Sequence, residues 1–170
     1  MRRIVLMILL IFGLLGATGI SNEEPVKVSI ESYKVWDSRS ATATFEVLEE
    51  VFPGDEIMYV LSYENTSDFT IQGLQMVGII PEGTFYIKGS ATGEKRVHFN
   101  WETVEVDLLF SIDNGGSFAR PPLFVEEMIG GMTVKRIVNP ATYTSIMWVY
   151  SKDFKPLDIL KVCYKVRVNE

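Results

Sequence analysis

Chemistry in this chain would have to come from one histidine, one cysteine and acids scattered singly or in pairs. A Ser or Cys nucleophile needs a base beside it, and the one imidazole available is His98. His98 sits between Val97 and Phe99, in phase with Asn100 and Glu102, which reads as the polar face of a strand. No Gly-x-Ser-x-Gly elbow surrounds any serine, so His98 is expected to be a solvated surface side chain. A structural zinc site takes several Cys or His ligands, and one of each does not build it. The expectation is a chain without catalysis, metal or cofactor.

Cys163 has no second cysteine to pair with, so the fold needs no internal disulfide. By phase it shares a strand face with Lys161, Lys165 and Arg167, and positive neighbours favour a reactive thiolate. Free cysteine is as readily buried under another strand, so an exposed, bonding thiol and a covered one both fit. Asp113-Asn114, with Glu102, Glu105 and Asp107 near in sequence, has the hard oxygens calcium prefers. The spacing matches no calcium loop, and Asp113-Asn114-Gly115-Gly116 already reads as a hairpin turn. Glycoside hydrolysis needs two acids facing each other across a cleft. Glu49-Glu50, Asp55-Glu56 and Glu126-Glu127 are adjacent, and adjacent strand residues point to opposite faces. For carbohydrate, a flat platform of exposed aromatics is wanted. Trp101 and Trp148 share phase with aliphatic neighbours and are expected in the core, whereas Trp36 lies in a polar loop. Trp36 and Cys163 are the candidate interaction residues. Asn65-Thr66-Ser67 matches a glycosylation sequon but is equally a turn.

The elements that would position these groups are strands. Ile57, Tyr59, Leu61 and Tyr63 alternate with Met58, Val60, Ser62 and Glu64 between a Pro53-Gly54-Asp55 turn and Asn65-Thr66-Ser67-Asp68. Leu160, Val162, Tyr164, Val166 and Val168 alternate in the same way against Lys161, Cys163, Lys165, Arg167 and Asn169. Thr144, Ile146, Trp148 and Tyr150 mark a strand with both faces apolar, as in the centre of a sheet. Val26, Val28 and Ile30 open a first strand whose phase slips at Tyr33 and Val35, as at a bulge. Ala43, Phe45 and Val47 give a second short one. Residues 123–139 are broken by Gly130-Gly131, and within them Phe124 to Ile129 fit a strand or a single helical turn. About eight to ten short strands with turn signals every 8–12 residues predict an all-β sandwich of two antiparallel sheets, immunoglobulin-like first and jelly roll second.

The net charge is −6 and no run of basic residues occurs, which argues against nucleic acid as a partner. Arg2 and Arg3, the apolar run Ile4 to Leu15 and the small residues Ala17-Thr18-Gly19 form a signal peptide pattern. Residues 1–19 are expected to be the export segment, and only if left uncleaved would they hold the chain to a membrane. Residues 20–40 then hold a lead-in and first strand, and residues 41–170 the remainder of one sandwich. The destination is the periplasm, the cell surface or the medium.

The order of motifs also resembles a known family. Pro53-Gly54-Asp55-Glu56-Ile57-Met58-Tyr59 through Asn65-Thr66, then Ile80-Pro81-Glu82-Gly83-Thr84 and Gly89-Ser90-Ala91, resemble the landmarks of the conserved-repeat domain of unknown function eleven. Phe110 to Phe118, Asn139 to Trp148 and the final Val/Tyr/Lys strand resemble later ones. The chain departs from the pattern at Gly78, where the family has an acid, at Ser67, where it has a glycine, and at Met147, often an arginine. The resemblance implies an immunoglobulin-like module of bacterial and archaeal surface or secreted proteins, without catalysis. The function expected is structural or adhesive, through contacts with envelope or surface proteins or with itself. Carbohydrate or calcium binding is the alternative.

Overall fold

Pairing starts from the Pro-Gly-Asp turn. Phe52-Pro53-Gly54-Asp55 has proline second and Gly54 at φ +87°, the type II pattern, whose third residue must take positive φ. Asp55 N donates to Phe52 O at 3.1 Å, and the Asp55 carboxylate accepts from Phe52 N at 2.8 Å and pairs with Lys34 at 2.7 Å. Gly54 N donates to Val168 O at 3.0 Å, so the turn is tied to the last strand of the chain.

The computed structural model describes residues 24–36, 44–47 and 50–170. Within them run β1 (Val26–Trp36), β2 (Thr44–Val47), β3 (Glu56–Asn65), β4 (Leu74–Ile79), β5 (Thr84–Tyr86) and β6 (Thr92–Val97). β7 (Asn100–Thr103), β8 (Asp107–Ser111), β9 (Phe124–Ile129), β10 (Met132–Ile137), β11 (Ser145–Tyr150) and β12 (Ile159–Val168) follow, with a 3-10 turn at Pro140–Thr142. The described residues are all-β and every pairing among them is antiparallel. A seven-stranded sheet has the order β2-β1-β3-β12-β6-β7, with β5 also on β12; a second sheet is β4-β11-β8; β9 and β10 form a separate hairpin. The export segment expected in residues 1–19 lies outside the described residues.

The two main sheets meet face to face, because their strands alternate as the sequence predicts. β3 buries Ile57, Tyr59, Leu61 and Tyr63, and β12 buries Leu160, Val162, Tyr164, Val166 and Val168. β11, central in its sheet, buries Ile146, Trp148 and Tyr150 against them. Each such side chain contributes about 1.5–3 kcal/mol of burial. The Tyr59 and Tyr164 rings stack at 5.3 Å, and Trp148 tilts against Tyr164 at 5.8 Å. A second aromatic group, Tyr86, Phe110 and Tyr143, closes the other end with centroids 4.7–6.4 Å apart. The Tyr164 hydroxyl donates to Ile79 O, and Tyr63 is hydrogen-bonded to the backbone of Val77. Ile80 N bonds Thr144 O on the β11 side, so by alternation Val77 and Ile79 turn their backbone groups to the free edge of β4. The two tyrosines cap that edge from the opposite sheet. Burial pushes the Tyr63 hydroxyl up to about 12, and drives that of Tyr164 above the usual tyrosine range, with Tyr59 and Tyr63 adding to it.

The structure corrects several expectations. β1 pairs with β3 without interruption from Val26 opposite Asn65 to Val35 opposite Glu56, so no bulge marks the change of phase. Val28 and Ile30 share the face of Leu61 and Tyr63 yet stay half exposed, while Val35 on the other face is buried. Tertiary cover, not a slip of register, produced the mixed pattern. The predicted strand through Val97 and Trp101 is a reversal: β6 and β7 form a hairpin about His98-Phe99, with His98 at φ +57°. Among the described residues twelve strands replace the eight to ten expected, and residues 124–137 form strands on both sides of Gly130-Gly131. Both glycines have positive φ, as a two-residue type I′ hairpin requires.

Candidate functional site

The candidate residues separate onto different surfaces. Cys163 lies on the outer face of the large sheet, half-buried, with Sγ 2.9 Å from Thr92 Oγ1. It lines an open groove of about 370 Å³ with Glu31, Tyr33, Val60, Glu94 and Lys161. Trp101, expected in the core, is 39% exposed on this side, because the β6–β7 hairpin carries it outward. Its ring is covered by the Lys161 ammonium, 4.2 Å from the centroid. Trp148 is fully buried, as its phase predicts. The backbone of Trp36 ends β1 opposite Thr44, not in a loop; its side chain lies outside the described residues. Nothing described brings Trp36 and Cys163 together. His98 is exposed at its hairpin tip.

The Asp113 loop binds itself. Ser111 Oγ donates to Asp113 Oδ1 at 2.6 Å, and Ser117 donates through N at 2.9 Å to Oδ1 and through Oγ at 2.7 Å to Oδ2. Ser111 Oγ in turn accepts from the backbone N of Asp113 and Gly115, and Asn114 N donates to Thr144 Oγ1 on the segment entering β11. Asp107, one of the acids considered with it, is instead 2.9 Å from Arg120. No group of three or more His, Cys, Asp or Glu side chains placed to hold a metal ion occurs among the described residues. The hydrogen bonds from Ser111 and Ser117 hold the Asp113 carboxyl down at about 2, against an ordinary 3.8. A depressed carboxyl supports the folded loop above the ordinary value and loses that support as pH falls through about 2. NMR titration of the Asp113 carboxyl is expected to show this, with Ser117→Ala moving the midpoint upward. A midpoint at or above the ordinary aspartate value in the parent chain would contradict the geometry.

The sequon at Asn65 is closed to modification in the folded chain. Asn65 is fully buried; its Nδ2 donates to Phe69 O and Phe154 O, both at 2.9 Å, and its Oδ1 accepts from Ser67 N and Oγ.

One apolar surface feature lies in a stretch the sequence left undecided. The β9–β10 hairpin exposes Phe124, Met128, Ile129, Met132, Val134 and Ile137, each between 41% and 75% accessible. Its base is fixed by Val138 N donating to Leu123 O at 2.9 Å, with Leu123 and Val138 in the core. Pairing places Phe124, Ile137 and Met128 on one face, and Ile129, Met132 and Val134 on the other. Only Val125 packs against the core. Glu126–Lys135 and Glu127–Arg136, at 3.8 and 3.6 Å, lie one pair on each face of this ladder. The signal available was the symmetry of apolar residues about Gly130-Gly131. It was obscured because both faces are mixed and neither alternates cleanly. No protein-family model matches the chain, and neither does any curated protein or solved structure.

Proposed function

We propose that this chain is an exported, non-catalytic β-sandwich module that works through protein contacts in the cell envelope, with the β9–β10 hairpin as its contact surface. The observation that carries the reading is the hairpin itself, whose apolar side chains stand in solvent on both faces while its base is anchored in the core. An apolar patch of this kind on a folded domain marks an interaction site or an aggregation hazard. The charge pairs Glu126–Lys135 and Glu127–Arg136 interrupt it, which keeps it soluble between encounters. The Arg2-Arg3, Ile4–Leu15 and Ala17-Thr18-Gly19 pattern supports export.

For the architecture, the strand order supports the jelly-roll alternative over the immunoglobulin-like one. β3 pairs with the last strand, β12, and β4 with the one before it, β11, a nested arrangement. In an immunoglobulin sheet the second strand pairs with the fifth. A carbohydrate-binding role is favoured by one feature, the outer groove with Tyr33, Glu31 and Glu94 near an exposed Trp101. Lys161 over the Trp101 ring occupies the stacking surface a sugar would need, so the protein-contact reading is preferred.

A photo-crosslinking side chain placed at Met128, in the native host, is expected to give discrete adducts in the envelope fraction. The same group at exposed Lys152 serves as the control. Equal adduct patterns at the two positions, or recovery of the protein from the cytoplasm, would sink the proposal.

A further inference from the structure

The outer edge of β1 is a second surface, built from other residues than the hairpin. β3 covers one side of β1 along its length, whereas β2 covers the other side only from Tyr33 to Trp36. From Val26 to Ser32 that side pairs with no described residue. Thr66 N donates to Pro25 O at 3.0 Å, which sets the alternation. Odd-numbered residues of β1 bond toward β3, and Val26, Val28, Ile30 and Ser32 present N–H and C=O outward. The free edge of β4 is capped by tyrosines, as described above; no described group caps this one. Val28 and Ile30, on the core-facing side, remain 48% and 45% exposed.

The sequence of this edge is complementary to itself. Run antiparallel against a second copy about Ser29, Lys27 of each copy faces Glu31 of the other, and Val28 of each faces Ile30. The outward-facing residues then meet as pairs that exchange both backbone hydrogen bonds. A twofold axis at Val28 or Ile30 preserves the backbone bonds but sets Lys27 against Ser29 or Tyr33, and both charge pairs vanish. Glu31 receives the Tyr33 hydroxyl on Oε2 at 2.6 Å, which leaves Oε1 for a lysine across the axis. An open strand edge is a template for pairing, and a twofold contact uses the same patch on both copies. We propose that the chain self-associates through β1, in an antiparallel twofold contact centred on Ser29 that joins two seven-stranded sheets into one.

This names one partner within the protein-contact reading and rests on it only in that sense, since the hairpin takes no part. The test is sedimentation equilibrium of the full chain with Lys27→Glu, Glu31→Lys, the double variant and an equimolar mixture of the two singles. Lys27 also stands opposite Glu64 in its own sheet, so unchanged circular dichroism and melting are required of each variant first. Each reversal sets like charges face to face twice, and is expected to weaken the dimer about ten-fold or more. The double variant and the mixture restore opposite charges and are expected to return to the parent value. A monomer at every concentration, or an association that neither reversal weakens, overturns the proposal. In either case crosslinking at Met128 still tests the hairpin on its own.

Discussion

Asn65→Ala is expected to destabilise the chain by about 2–4 kcal/mol, since a fully buried side chain that makes four hydrogen bonds is removed and each bond contributes about 0.5–1.5 kcal/mol. Phe154 O loses one of two donors and keeps Ile71 N, Phe69 O keeps Ser67 Oγ, and Ser67 N loses its acceptor. Phe154 comes from a turn far along the chain, so the asparagine ties the end of β3 to the entry of β12. Leu157 N donates to Asn65 O and Asn65 N to Asp158 O, and these backbone bonds survive the substitution. They do not satisfy the groups the side chain held. Urea melts of parent and variant measure the difference, with Ser67→Ala as a milder companion expected near 1 kcal/mol. A loss below about 1 kcal/mol for Asn65→Ala would show that water replaces the side chain and that the corner is not fixed by it.

Gly78→Val is expected to cost about 3 kcal/mol, and Gly78→Ala about 1–2, through overpacking. A Cβ on Gly78 would lie 2.9 Å from the Tyr164 ring and 3.1 Å from Trp148, closer than such atoms pack. Those rings cannot retreat freely: Tyr164 is bonded to Ile79 O and stacked on Tyr59, and Trp148 is fully buried. The valine is therefore expected to shift β4 and open its contact with the large sheet. Near-ultraviolet circular dichroism of the tyrosines and tryptophan, with thermal melts, follows both effects. A valine variant as stable as the parent would mean that β4 slides without penalty. The same packing leaves room at this position for glycine alone. A carboxylate here would be buried between aromatic rings without a partner.

The core carries two polar orphans that bear on these measurements. Tyr59 Oη and Trp148 Nε1 are buried with no hydrogen-bond partner among the described residues. Burial alone pushes the Tyr59 hydroxyl up to about 12. The aromatic stack is thus held by shape more than by polar satisfaction, which makes it sensitive to the volume added at Gly78.

How much was legible depended on whether one face of a strand is fully covered. β3 and β12 sit in the centre of their sheet with one face against the opposite sheet, and alternation alone identifies Ile57 to Tyr63 and Leu160 to Val168; β11, apolar on both faces, was legible as a central strand, and packing decided that Ile146, Trp148 and Tyr150 face the core. The turns at Pro53-Gly54 and at Asp113-Asn114 were equally readable, because proline and positive φ restrict what the backbone can do there. The strands at the margins were not. Val28, Ile30, Trp101 and the β9–β10 residues are apolar and exposed, and a pattern rule that assigns apolar residues to the core misplaces them.

By itself, then, the sequence determined an all-β chain, its central strands, its principal turns and the phase that puts Cys163 with Lys161. Those follow from local periodicity and backbone restriction, which every short segment carries in its own residues. Only the tertiary structure decided that β12 returns beside β3, that Asn65 is a buried four-bond corner, and that tyrosines cap β4 while, among the described residues, nothing pairs with the outer edge of β1 from Val26 to Ser32. These depend on which strands become neighbours. That choice is made by packing between residues distant in the chain, and no window of sequence records it.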